Sequence, residues 1–219
     1  MNSRELVHAA LRGEVTPRCP VGPLAVHFCA GLAGHSLRDY STRARVLAES
    51  VIRYYERFQP DAVWVSADTW VSAEAMGAQV GAEDEHQPLG GLGEPTVRTV
   101  ADLERIPPPD VTRQGRYPLM LEALGHVVDA LGREVFIVAC FDQHPFSLAA
   151  ALMGINEIML KQAGDRPFVE ALMHRCLEYG LAYGTALGQA GADLLSGGDS
   201  PAGLLGPRPY NSLAQPLER

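Results

Sequence analysis

The chain has 219 residues, 47% of them hydrophobic and 20% charged, with a net charge of −8 at pH 7. That length suffices for one domain with a proper core, and an acidic balance without basic clusters argues against nucleic acid or an anionic membrane as the main partner. Cys19, Cys29, Cys140 and Cys176 stand far apart with no CxxC, which argues against a secreted disulfide framework and for a cytoplasmic protein with reduced thiols.

MNSRELVHAALRG reads as a short amphipathic helix; it lacks the basic-then-apolar order of a leader, and no run in the chain reaches membrane-spanning length. After the turn-rich VTPRCPVGP, LAVHFC (24–29) reads as a first buried strand. Ser41 is expected to cap a helix over STRARVLAESVIRYYERF, and DAVWVS (61–66) is a second strand, followed by a small helix around SAEAMG. Residues 81–97, acidic and rich in glycine and proline, form an excursion whose LGGLGEP reads as a loop over the sheet's end. Thr99 with Asp102 makes a capping box for TVADLERI, 116–131 is a helix closed by Gly132, and EVFIVAC (134–140) is a third strand. Asp165 and Pro167 open a long helix with Phe168, Leu172, Cys176, Tyr179, Tyr183 and Leu187 on one face; ADLLSG (192–197) is a fourth strand, and GPRPYNSLAQPLER starts a further helix.

Four buried strands, each followed by helix, imply a parallel sheet covered by helices, as an open doubly wound sheet or part of a barrel. Ligands of such sheets bind at the carboxyl ends of the strands. Those ends carry His27, Cys29 and His35; Asp68 and Trp70; Cys140, Asp142 and His144; and Asp199. Alternate spacing before Pro145 is expected to put Cys140, Asp142 and His144 on one face. Any one aspartate is as readily a turn or helix cap, but repetition at one end of the sheet points to a site. His27-x-Cys29 has zinc-ligand chemistry, yet cysteine in an apolar run is commonly a small core residue, and no metal set is assigned. The glycine-rich loop lacks a phosphate-loop lysine, and no serine sits in a nucleophile elbow.

RELVHAALRGEVTPRCPVGP, DAVWVSADTWVSAEAMGAQV, TVADLERIPPPD, GRYPLMLEALGHVVDALG, HPFSLAAALMG and AGADLLSGGDSPAGLLGPRPY, in this order, resemble the uroporphyrinogen decarboxylase superfamily across essentially the whole chain. The resemblance implies an α/β fold of the (β/α)8 TIM-barrel family, here about the first four βα units in a single partial domain spanning 1–219. It implies either decarboxylation of uroporphyrinogen or zinc-dependent methyl transfer between a corrinoid protein and a thiol such as coenzyme M. Asp68 matches the family's aspartate after strand two. The decarboxylases' R-Q-A-G-R stretch is replaced by HFCAGLAGHSLRDY, and Ala151 stands where they place a tyrosine. The methyltransferase-like branch is therefore the closer match. Its zinc ligands are expected beyond the end of this chain, with the corrinoid carried by a partner protein. The expected catalytic residues are Asp68, Asp142 and His144, and the expected binding residues for a small-molecule substrate are His27, Trp70 and Asp199. Half a barrel would leave apolar strand edges open, which implies a homodimer, a complementing half-barrel, a fragment or a rearranged sheet.

Overall fold

A computed structural model describes residues 1–91 and 93–219; Leu92, within the LGGLGEP stretch read as a loop over the sheet, lies outside the described residues. Helix α1 (Ser3–Leu11) is closed at its start by an Asn2–Glu5 capping box. Helices α2 (Val26–Ala33), α3 (Leu37–Thr42) and α4 (Ala44–Phe58) lead to strand β1 (Ala62–Val65). Helix α5 (Val71–Ala75), the two-residue strands β2 (Val80–Gly81) and β3 (Leu89–Gly90), and helices α6 (Val100–Arg105) and α7 (Tyr117–Leu131) follow. Strand β4 (Phe136–Gln143), helices α8 (Pro145–Met153), α9 (Ile155–Gly164) and α10 (Arg166–Gln189), and strand β5 (Leu194–Gly198) come next, before short helical segments over 200–218.

The main sheet is parallel, three-stranded among the described residues and ordered β1-β4-β5. Its register pairs Ala62 with Phe136 and Val138 with Leu194. The expected first strand at 24–29 is instead the start of α2. The run is short, so its apolar residues serve a helix as well as a strand, and Gly34 ends it in the left-handed conformation at φ 77°. Among the described residues, three parallel strands therefore replace the expected four. Ser41 is not a cap either. Ser36 caps α3 by accepting from the Asp39 N–H at 3.1 Å, and extended Arg43 separates α3 from α4.

Alternation along the strands divides the sheet into two faces. Val63, Val65, Ile137 and Ala139 join the main core with Leu47, Val51, Leu124 and Val127 of α4 and α7. Ala62, Phe136 and Val138 point the other way, where Trp64 and Val7 of α1 cover them. Two aspartates just ahead of strands fasten this cover at the strands' amino ends. Asp61 accepts from Arg18 at 2.6 Å and Ser3 at 2.7 Å, and Asp193 accepts from Arg4 at 2.7 Å and the Ile137 N–H at 3.0 Å. The Thr99–Asp102 capping box forms as expected, and all six expected face residues of α10 are buried. Among the described residues, no helix is long and apolar enough to cross a membrane.

Candidate functional site

The carboxyl ends of β1 and β4 gather the polar groups. Beyond β1 the chain turns at Asp68, whose Oδ1 accepts from the Trp70 N–H at 2.7 Å, an aspartate turn that leads into α5. Arg116, immediately before α7, donates from Nη1 to Asp68 Oδ2 at 2.5 Å and from Nη2 to Oδ1 at 3.1 Å. The same guanidinium donates from Nε to Glu74 at 2.5 Å and from Nη1 to the Ser41 carbonyl at 3.2 Å. Its side chain is 11% exposed and that of Asp68 1%. Burial works against the guanidinium's charge, but the bonds and fields of Asp68 and Glu74 outweigh it and hold its pKa above normal.

The expected alternation of Cys140, Asp142 and His144 does not survive. The β4–β5 register shifts between Cys140 and Gln143, and Asp142 sits at φ 71°. This irregularity re-aims the chain. Asp142 turns inward, where its Oδ2 accepts from the Ser72 N–H of α5 at 2.9 Å. Gln143 and His144 instead line a 440 Å³ cavity with Phe141, Cys176 and the Gly180–Gly184–Gly188 face of α10. The His144 ring meets Phe141 edge-on at 5.1 Å, and the His144 backbone N–H donates to the Gly198 carbonyl at 3.0 Å. Burial pushes the Cys140 thiol up to about 11, as befits a core group.

His27 and Cys29 part company on α2. His27 Nε2 bonds the Ala67 carbonyl at 2.8 Å, and its ring lies edge-on to Tyr40 at 6.0 Å, so it braces the end of β1. Cys29 is buried and donates to the Ala25 carbonyl at 3.1 Å, and burial pushes its thiol up to about 12. A zinc-bound cysteine must be a thiolate whose lone pairs converge on the metal with those of the histidine, and this pair does not fit that. No group of three metal-ligating side chains occurs among the described residues.

Asp199 Oδ1 accepts from the Ser147 N–H at 2.7 Å and its Oγ at 2.5 Å, so it caps α8 from the end of the neighbouring strand. Desolvation raises its pKa against those bonds, and its Oδ2 is buried without a partner. Trp70 lies under Gly90 of β3, so the short β2–β3 ladder is seated on its indole. Of the expected residues, Asp68, Trp70 and Asp142 meet around α5, His27 braces β1 from behind, and His144 and Asp199 flank the start of α8. Sequence reading missed Arg116 and Glu74. Arg116 stands at a helix start beside Pro118, where only its distant carboxylate partners reveal a role.

The family model described as uroporphyrinogen decarboxylase (URO-D) matches residues 2–219. The methylcobamide:CoM methyltransferase MtaA of Methanosarcina barkeri is 24% identical over 94% of this chain and 62% of its own length. A uroporphyrinogen decarboxylase of Prochlorococcus marinus is 26% identical over all of this chain and 64% of its own length. The chain therefore spans somewhat under two thirds of these relatives. A solved structure of a methyltransferase from Methanosarcina mazei shares the fold, with a TM-score of 0.88 at 23% identity over 99% of this chain and 65% of that one. With its family model matched from the second residue to the last, the chain belongs to the uroporphyrinogen decarboxylase family.

Proposed function

We propose that this chain forms the substrate-side wall of a methyltransferase-like (β/α)8 barrel. That barrel passes a methyl group between a corrinoid protein, or another methylated donor, and a thiol or similar acceptor. One observation carries this reading over decarboxylation: both oxygens of Asp68 are occupied, by Arg116 and the Trp70 N–H, and its side chain is 1% exposed. A carboxylate closed off in this way is poorly placed to meet a tetrapyrrole, and no arginine stretch stands ready for a substrate with many carboxylates. The methylcobamide:CoM methyltransferases among the relatives support the same reading.

In this reading His144, which lines the 440 Å³ cavity, meets the small-molecule ligand. Asp68 and Asp142 act from behind, Trp70 holds the β2–β3 ladder over them, and His27 and Asp199 fix the strand and helix ends that frame the pocket. No step is assigned to zinc, because His27 and Cys29 do not converge. The test is incubation of the purified protein with methylcobalamin and coenzyme M, following loss of the methyl–cobalt spectrum and formation of the thioether. Methylation of the thiol supports the reading; turnover of uroporphyrinogen under the same conditions overturns it in favour of a decarboxylase-like lyase.

A second reading rests on the open side of β5. Leu194 and Leu195 are 42% and 38% exposed, and Leu181 of α10 is 62% exposed beside them. Apolar side chains along an unpaired strand edge suit a covering half-barrel, from a second copy or a complementing partner chain. Light scattering on the eluting protein tests it; a monodisperse monomer with a cooperative melt overturns it.

A further inference from the structure

The core behind Asp68 contains polar atoms with nothing to bond. Asp142 is 4% exposed, and its Oδ1 has no partner. Ser72 Oγ, Tyr117 OH and Tyr183 OH are buried and equally unpartnered. The two tyrosine rings stack with centroids 4.2 Å apart, and the Ser72 N–H already holds the other oxygen of Asp142. These four side chains come from β4, α5, α7 and α10, so the fold converges four elements on one unsatisfied polar pocket. Buried polar atoms are nearly always bonded, and a left-handed non-glycine residue beside such a group marks a place where the chain tolerates strain.

We propose that Asp142 is a proton store behind Asp68: a neutral carboxylic acid set among the Ser72, Tyr117 and Tyr183 hydroxyls and linked electrostatically to the Asp68–Arg116 pair. A carboxylate buried here would leave a charged oxygen with no donor, whereas the neutral acid leaves no charge unpaired. Every charged neighbour bears on the same proton. Desolvation and the negative charge of Asp68 favour the neutral acid, while the Ser72 N–H and Arg116 oppose it, leaving the carboxyl pushed up to about 8. Cys140 on the same strand and Tyr183 on α10 are themselves raised by burial, so neither supplies a competing charge. Glu74 acts through Arg116, which it holds in place.

Asp142 is thus a positioning residue. Whatever draws Arg116 off Asp68 makes Asp142 hold its proton more tightly, and whatever neutralises Asp68 lets the Asp142 O–H ionise and the proton pass to solvent. The proposal stands apart from the identity of the transferred group.

Carboxyl carbon NMR of the chain labelled with ¹³C-carboxyl aspartate, titrated across roughly pH 5 to 10, tests it. One aspartate is expected to keep the acid shift through neutrality and titrate near 8. Asp142→Asn, which keeps shape and hydrogen-bonding capacity, removes that resonance. Asp68→Asn moves its midpoint down by removing the like charge. The same titration by thermal melting shows wild-type stability falling as pH rises from the unfolded aspartate value of about 4 toward the folded one, a slope that Asp142→Asn removes. Ionisation of every aspartate below about pH 6, survival of the late resonance in Asp142→Asn, or a midpoint unmoved in Asp68→Asn overturns the proposal.

Discussion

Asp199 and Ser147 lie 52 positions apart, yet one carboxylate oxygen accepts both the backbone N–H and the hydroxyl of Ser147. The residue after β5 thereby supplies the cap that α8 lacks locally, since His144 stands at its N-cap without a capping bond. Removing the carboxylate in Asp199→Ala leaves the first turn of α8 uncapped, at a cost of about 0.5–2 kcal/mol. Asp199→Asn recovers most of it. Urea denaturation of the three proteins checks the order, and equal midpoints would show that the cap carries no stability.

Arg116 joins two carboxylates and a backbone carbonyl in the core. Arg116→Ala strands Asp68 without its cation, and breaking a buried pair from one side typically costs about 3–5 kcal/mol. Exchanging both partners at once, Asp68→Asn with Arg116→Met, removes the stranded charge and should recover part of that loss. A double-mutant cycle on unfolding free energies measures the coupling.

Acid stability should depend on Asp61. Its bonds to Arg18 hold the carboxyl down at about 2 against some desolvation, helped by the Val21 N–H and Ser3. The unfolded value is about 3.9, so the contribution is present above that pH and is lost as pH falls through about 2. Asp61→Asn should lower stability at neutral pH and flatten the melting temperature between these values, as read by circular dichroism.

The β2–β3 ladder is seated on Trp70 because Gly90 has no side chain; a Cβ there would fall inside the indole. Gly90→Ala should lift the ladder and expose the indole. The chain has two tryptophans, Trp64 and Trp70, so fluorescence of a Trp64→Phe background isolates the red shift expected at Trp70. An unshifted spectrum would place the contact elsewhere.

The sequence made the three sheet strands, the capping box at Thr99 and the buried face of α10 legible, because local alternation and helical spacing decide them. It misled at 24–29, where six residues are too few to separate two periods. Gly34, ten positions on from Leu24, was the overlooked sign of a helix end. The site was legible as a list but not as a grouping. Asp68, Asp142, His144 and Asp199 all lie at the expected strand ends, but the β4 irregularity sends Asp142 and His144 to different sides. No local pattern announces that shift beyond the tolerance of aspartate for left-handed backbone. Arg116, Glu74 and the unpartnered tyrosine hydroxyls emerge only from tertiary contacts.

The fastening of α1 has a consequence for assembly of the chain. Arg4 meets Asp193 across 189 positions, and Asn2 reaches the Arg133 carbonyl across 131. The Asn2 contact needs the chain only as far as the start of β4, but the Arg4 contact rewards loop closure only once the β5 strand is in place, so α1 is expected to dock late and leave early. Its first dozen residues work as a latch, and trimming them should be felt first at β5, as faster amide exchange there rather than beside the cut.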